Sequence, residues 1–99
     1  MSKMSPEQIQ QALQNLTDWR YEPKSGESLD RIVFERSFKD FNEAFGLMSR
    51  IALYAERADH HPTFTNTYGD LKIALSTHDA SGVTKKDVEM ASFIDGICT

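Results

Sequence analysis

The stretch "AERADHHPTFTNTYGDLKIALSTH", Ala55 to His78, decides the fold, because the spacing of its apolar side chains changes partway along. Before Pro62 they recur at intervals of three and four, as on a helix; after it they recur at two, as on a strand. Phe64, Asn66 and Tyr68 alternate with threonines, and Gly69-Asp70 turns the chain. Leu71, Ile73 and Leu75 then point one way while Lys72, Ala74, Ser76 and His78 point the other. A helix followed by a β-hairpin is the reading, with His78 at the hairpin's far end.

The helix extends back to Asp40, where "DFNEAFGLMSRIALYAERA" opens with a cap and carries Glu43 three residues on, a capping-box spacing. One apolar stripe runs Phe41, Ala44, Phe45, Met48, Ala52, Ala55; a second runs Leu47, Ile51, Tyr54, Ala58. Together they are wider than one sheet face needs in a small domain. Either this helix is central and buried on most sides, or its second stripe packs against another chain; the second is the expectation carried forward.

The flanks complete the pattern. Ser5, Pro6 and Gln8 spell a helix start, followed by Ile9, Ala12, Leu13 and Leu16 at helical spacing. "WRYEPKSGESLDRIVFERSF" reads as a first hairpin: a strand from Trp19, a turn at "PKSGES", and a strand from about Leu29 to Phe38. Arg36 interrupts the apolar parity of Ile32, Phe34 and Phe38, and is read as an edge or strand-end residue whose stem snorkels. After the "DASG" loop, Thr84 and Asp87 open a last helix carrying Val88, Met90, Ala91, Phe93, Ile94 and Ile97. The order α-β-β-α-β-β-α predicts an α+β fold, a four-stranded antiparallel sheet with helices packed on it.

At 99 residues the chain is read as a single domain, 1–99, that buries about 65% of its unfolded surface, so a partner subunit would help stabilise it. A net charge of −4, with basic residues interleaved among acids, argues against direct nucleic-acid binding. Cys98 is the only cysteine, which excludes an internal disulfide and fits a reducing compartment. The polar start "MSKMSPEQIQ" and the lack of a long apolar run predict a soluble intracellular protein without membrane association, placed in the cytoplasm with the nucleus as a second location.

All three histidines fall at element ends, where scaffolds present functional side chains. Glu56 precedes His60 by four residues, so on a continuing helix the two share a face. Pro62 pushes His61 towards extended geometry, so the two adjacent rings should diverge. Two differently aimed imidazoles suit a reaction that moves two protons, since imidazole titrates near neutrality. The plainer account is that His60 and His61 are solvated helix-end residues, that His78 is a surface residue, and that Asp87 is the fourth member of a capping box begun by Thr84. A two-histidine, one-carboxylate metal face from Glu56, His60 or His61, and His78 is a further alternative, but adjacent histidines with diverging rings rarely ligate one ion. No phosphate-cradling glycine loop or nucleophile turn is present.

Glu56-x3-His60-His61-Pro62-x5-Tyr68-x9-His78-x8-Asp87 resembles the signature of the pterin-4a-carbinolamine dehydratases. The similarity continues through "FKDFNEAFGLMSRIALYAE" (Phe38 to Glu56), "LSTHDASG" (Leu75 to Gly82) and "ASFID" (Ala91 to Asp95), covering about residues 19 to 95. The resemblance implies dehydration of 4a-hydroxytetrahydropterin to quinonoid dihydropterin in tetrahydropterin recycling, with no metal or organic cofactor. It implies that His60, His61 and His78 line the site and that Glu56 and Asp87 support them; it leaves open which imidazole is acid and which base, and His61 is taken here as the acid for the leaving hydroxyl. It would set the pterin against Asp59, Pro62 and Phe64, with Ser76, Thr77 and Asp79 of the "STHD" stretch supplying polar and backbone contacts. It further implies a homo-oligomer, a dimer or tetramer, built through helix 40–58. Animal members also serve as dimerisation cofactors of a homeodomain transcription factor, a role that would use the helix surface at Leu47, Ile51 and Tyr54. Two positions depart from the family pattern: Thr63, where an acid is common, and Phe64, where animal members often have tryptophan.

Overall fold

The computed structural model describes residues 2–26 and 29–98. Three helices and four strands follow one another as α1 (Pro6–Ala12), β1 (Trp19–Glu22), β2 (Arg31–Ser37), α2 (Phe41–Ala58), β3 (Thr63–Thr67), β4 (Asp70–Leu75) and α3 (Lys85–Cys98), with short 3-10 turns at Leu13–Asn15 and His78–Ala80. The expected α+β order holds, and the sheet is antiparallel throughout, in the order β1-β2-β4-β3. The two hairpins are therefore joined through β2 and β4, which occupy the middle.

Local chemistry accounts for most boundaries. Ser5 caps α1 by accepting from the Gln8 amide while the Gln8 side chain accepts from the Ser5 amide, a complete capping box. Asp40 caps α2 by accepting from the Glu43 amide at 2.9 Å. The second strand is shorter than expected at both ends. Asp30 lies outside it, its carboxylate accepting from the Lys24 amide and the Tyr21 hydroxyl, and Phe38 leaves the ladder to donate to the Gly69 carbonyl. Of the expected turn, Glu27 and Ser28 lie outside the described residues. Gly69 has a steric reason: a Cβ there would come within 2.5 Å of the Phe38 carbonyl oxygen.

One row of side chains, Trp19–Phe34–Ile73–Phe64, crosses all four strands on the face that the helices cover. Ile9 of α1, Leu47, Ile51 and Ala55 of α2, and Met90, Ala91 and Ile94 of α3 close over that face in one core. Each large apolar side chain buried there contributes about 1.5–3 kcal/mol. The other face carries the ion-pair chain Arg31–Glu22–Arg20–Glu35, with Val33 and Ala74 buried between its charged side chains.

One expectation is corrected and one is narrowed. The second stripe of α2 is not left over for a partner: Leu47 and Ile51 are in the core, and Tyr54 is half-buried with its ring stacked 4.5 Å from Phe93. The buried seam is Ala44–Leu47–Ile51–Ala55, which takes residues from both stripes, while Phe41 (51% exposed), Phe45 (53%) and Leu53 (74%) remain outside. A partner surface made of Leu47, Ile51 and Tyr54 is thus excluded by their own burial. Of the two positions read for Arg36, the edge is excluded, since β2 is interior, and the strand end is borne out. Arg36 sits one residue from the strand's end, its guanidinium 5.5 and 5.7 Å from the Phe34 and Phe38 ring centroids, donating to Asp18 and to the Cys98 carbonyl.

Candidate active site

The turn after α2 sets the directions of the adjacent histidines. Asp59 takes a left-handed conformation (φ 51°) and ends the helix, with its own amide and that of His60 both donating to the Ala55 carbonyl. Aspartate tolerates that conformation better than most side chains. Because the helix stops there, Glu56 and His60 do not share a face, contrary to their spacing. Glu56 meets His61 instead, Oε2 to Nε2 at 2.6 Å, on the exposed surface. His60 turns inward, 9% exposed, with Nε2 2.5 Å from Oδ1 of Asp87. The two rings thus diverge onto two different carboxylates.

Asp87 is fully buried at the third position of α3 and is the hub of the site. Its Oδ2 accepts from the Thr77 hydroxyl at 2.8 Å and from the Thr84 amide at 2.9 Å. The capping-box account of Asp87 is therefore half met, since the Thr84 hydroxyl accepts from the Lys86 amide and not from that of Asp87, and it is incomplete, because the same carboxylate holds His60. Anionic charge at a helix N-terminus is favoured by the backbone dipole. The Thr77 and Thr84 hydroxyls lie 2.7 Å apart, closing a buried network of four side chains.

This hub gathers the two segments that carry all three histidines. His60 touches Asp87 directly and His61 follows it; Thr77 touches Asp87 and His78 follows it. Neighbouring Cα atoms are about 3.8 Å apart, so His61 and His78 are tied to one centre from two sides. No hydrogen bond or ion pair among the described residues links His78 to another side chain; it starts the 3-10 turn His78–Ala80 with its ring exposed. That turn is clamped by a bridge in which the Thr77 amide donates to the Gly82 carbonyl and the Gly82 amide donates back. The N-terminal arm braces it from outside: the Met4 amide donates to the Val83 carbonyl, and the Lys3 stem lies where a Cβ at Gly82 would be.

The residues expected to meet a ligand fall into two groups. Asp59 and Asp79 are exposed, Pro62 and Ser76 are half-exposed, and the Ser76 and Asp79 side chains have no protein partner among the described residues. Phe64 is half-buried, packed against the core beside Ile73. Thr77 differs, since its amide, carbonyl and hydroxyl all bond within the protein. A cleft of about 150 Å³ beside His60 is lined by Tyr54, Ala58, Lys86 and Glu89, none of which the sequence singled out for the site. Thr84 was legible only as a cap, and its hydroxyl's place in the network had no sequence signal. Among the described residues no three His, Cys, Asp or Glu side chains stand close enough to share an ion.

Comparisons with known proteins converge on one family. The family model described as pterin 4 alpha carbinolamine dehydratase matches residues 2–97. Similar chains from Rhodopseudomonas palustris (43% identical, 98% of this chain and 92% of that one) and Bradyrhizobium sp. strain BTAi1 (44%, 98% and 94%) both carry the name "Putative pterin-4-alpha-carbinolamine dehydratase". The crystal structure of a transcriptional coactivator/pterin dehydratase from Brucella melitensis superposes with a TM-score of 0.86 at 35% identity, covering 99% of this chain and all of that one. With a full-length match to the family model, and close relatives covering nearly the whole of both chains, this chain belongs to the pterin 4 alpha carbinolamine dehydratase family.

Proposed function

We propose that the protein dehydrates 4a-hydroxytetrahydropterin to quinonoid dihydropterin by histidine general acid–base catalysis, in tetrahydropterin recycling. In that reaction the N5–H and C4a–OH bonds break, the C4a=N5 double bond forms, and water leaves. One group must take the N5 proton and another must protonate the departing hydroxyl. The observation that carries the reading is the Asp87 hub, which holds one imidazole directly and anchors the segments bearing the other two. His60, enclosed and fixed by a carboxylate, suits the base. His61, exposed and oriented by Glu56, suits the acid because it can recover its proton from solvent. Residues Asp59, Pro62, Phe64, Ser76 and Asp79 border these groups and are the candidates to hold the flat heterocycle. Neither proton transfer calls for a metal or an organic cofactor.

The test is the decay of freshly generated 4a-hydroxytetrahydropterin, followed by ultraviolet absorbance with and without the protein and with a chelator present. The expected result is an acceleration that survives the chelator and is abolished in a His61→Ala/His78→Ala double variant that still folds. No acceleration by the unmodified protein, or unchanged turnover in the double variant, would refute the reading.

We infer further that the protein self-associates, as a dimer or tetramer, through α2. What supports this is the strip that the core leaves uncovered at Phe41 and Phe45, both about half exposed with their rings 5.6 Å apart. An apolar strip on one helix is self-complementary across a two-fold axis. A coactivator role, as in the description of the Brucella melitensis relative, would draw on the same strip and would not need the histidines.

A further inference from the structure

The hydrogen bonds around Asp87 run in one direction. The Thr84 amide can only donate, and it donates to Oδ2. The Thr77 hydroxyl donates to the same oxygen, so its single proton is spent there. At the 2.7 Å contact between the two hydroxyls, Thr84 must therefore be the donor and Thr77 the acceptor. The Thr84 oxygen in turn accepts from the Lys86 amide at 3.3 Å. The chain runs Lys86 N–H to Thr84 O–H to Thr77 O–H to Oδ2, with backbone amides fixing its polarity.

That polarity bears on His60. Two donors on Oδ2 and the adjoining N-terminus of α3 favour the ionised carboxylate, and an ionised carboxylate can only accept, so the group facing Oδ1 must donate. His60 then carries its proton on Nε2, and Nδ1, which has no partner among the described residues, keeps a free lone pair. We propose that Thr77 and Thr84 are positioning residues: their hydroxyls hold Asp87 as a pure acceptor, which locks His60 in the Nε2–H tautomer and leaves Nδ1 as the nitrogen that takes the substrate's proton. Thr77 thus acts through His60 rather than by touching the pterin, as the commitment of its amide, carbonyl and hydroxyl within the protein also requires. The catalytic part of this inference rests on the dehydratase reading; the tautomer does not.

The experiment is long-range proton–nitrogen correlation NMR of protein labelled with 15N-histidine, at mildly alkaline pH. Paired with it are kinetics of Thr77→Val, which deletes the hydroxyl at nearly constant shape, and of Thr77→Ser, which keeps it. The expected result for the unmodified protein is a protonated Nε2 and a bare Nδ1 at His60. A proton on Nδ1 would overturn the proposal, and this measurement needs neither turnover nor a variant. In Thr77→Val the nitrogen signals should shift towards a mixture of tautomers, while Thr77→Ser keeps the original pattern. The same valine variant should lose roughly tenfold to a hundredfold in kcat, part of the ~10²–10⁴ that a positioned base supplies, with KM within about twofold. A raised KM with unchanged kcat would make Thr77 a substrate contact and refute the assignment. Should the unmodified protein prove inactive, the dehydratase reading fails and the nitrogen signals still decide the tautomer.

Discussion

Replacing Ile51 and Phe45 in turn by aspartate separates the core of α2 from its uncovered strip. Ile51 is fully buried, so Ile51→Asp forfeits about 1.5–3 kcal/mol of apolar burial. It also places a carboxylate where no cation or donor waits for it, which adds several kcal/mol more, whether paid as desolvation or as forced protonation. The sum is comparable to the roughly 5–15 kcal/mol that holds a domain of this kind together. Phe45 is 53% exposed, so Phe45→Asp loses about half of one aromatic side chain's burial and a ring contact to Phe41 at 5.6 Å, together about 1–3 kcal/mol. In a domain of this size 1 kcal/mol moves the melting midpoint by roughly 4–8 °C, so Phe45→Asp folds at ambient temperature and Ile51→Asp does not. Sedimentation velocity and thermal melting, each over a range of protein concentration, read both effects. The unmodified protein should melt higher as concentration rises, as self-association requires, and Phe45→Asp should sediment as a smaller species with a concentration-independent midpoint. An Ile51→Asp variant that melts within a few degrees of the unmodified protein would refute the core assignment. A Phe45→Asp variant that sediments like the unmodified protein would refute assembly through this strip.

Two further predictions concern titrating side chains. Burial raises the pKa of the Cys98 thiol, outweighing the opposing pull of Arg36, so its reaction with a disulfide reagent at neutral pH should be slower than that of a free thiol and become fast on unfolding; equal rates in the folded and unfolded protein would contradict this. The hydrogen bond from Arg31 lowers the pKa of Glu22, so the pair contributes stability above the ordinary carboxylate range that is lost as pH falls through the lowered value. Glu22 is part of a surface chain, so the contribution is about 0.5 kcal/mol, and Glu22→Gln should flatten the acid side of the stability curve by that amount and leave the neutral region otherwise unchanged; an acid limb as steep as in the unmodified protein would argue against it.

What the sequence made legible is local. Period-two alternation and the turn residues around Gly26 and Gly69 revealed both hairpins, and Ser5 and Asp40 marked two helix starts at the right residues. The pairing of β2 with β4 was not legible, because contact between two hairpins depends on what the helices cover. That is why the sequence leaves Arg36 between an edge and a strand end, although its strand is central. Apolar character likewise cannot say which part of a wide stripe meets the sheet: the seam Ala44–Leu47–Ile51–Ala55 crosses both stripes, and only the position of the sheet selects it. In the site, the Glu56–His60 spacing misled because it presumed a helix that continues; the left-handed turn at Asp59 ended it and passed Glu56 to His61. Asp87 was legible twice over, as a cap and by resemblance, yet no local pattern shows that one carboxylate serves both.

The unequal burial of the two histidine–carboxylate pairs bears on how a catalytic cycle would close. Dehydration by this route leaves the base with an extra proton and the acid lacking one, so both must be reset before the next turnover. The Glu56–His61 pair is exposed on both members and can exchange with water directly. His60 cannot do so through Nε2, which faces a fully buried carboxylate, and its proton must leave by the nitrogen that received it. On the proposed route the base would therefore be loaded and unloaded at one atom, through whatever opening admits the substrate, and the Asp87 side of the ring would not need to move at all. Such a site keeps its orienting network intact through the whole cycle, while the exposed pair exchanges protons with solvent. Opening the buried side, as Thr84→Ala would by deleting one hydroxyl of the chain, should therefore slow the step at the base without impairing the return of a proton to His61.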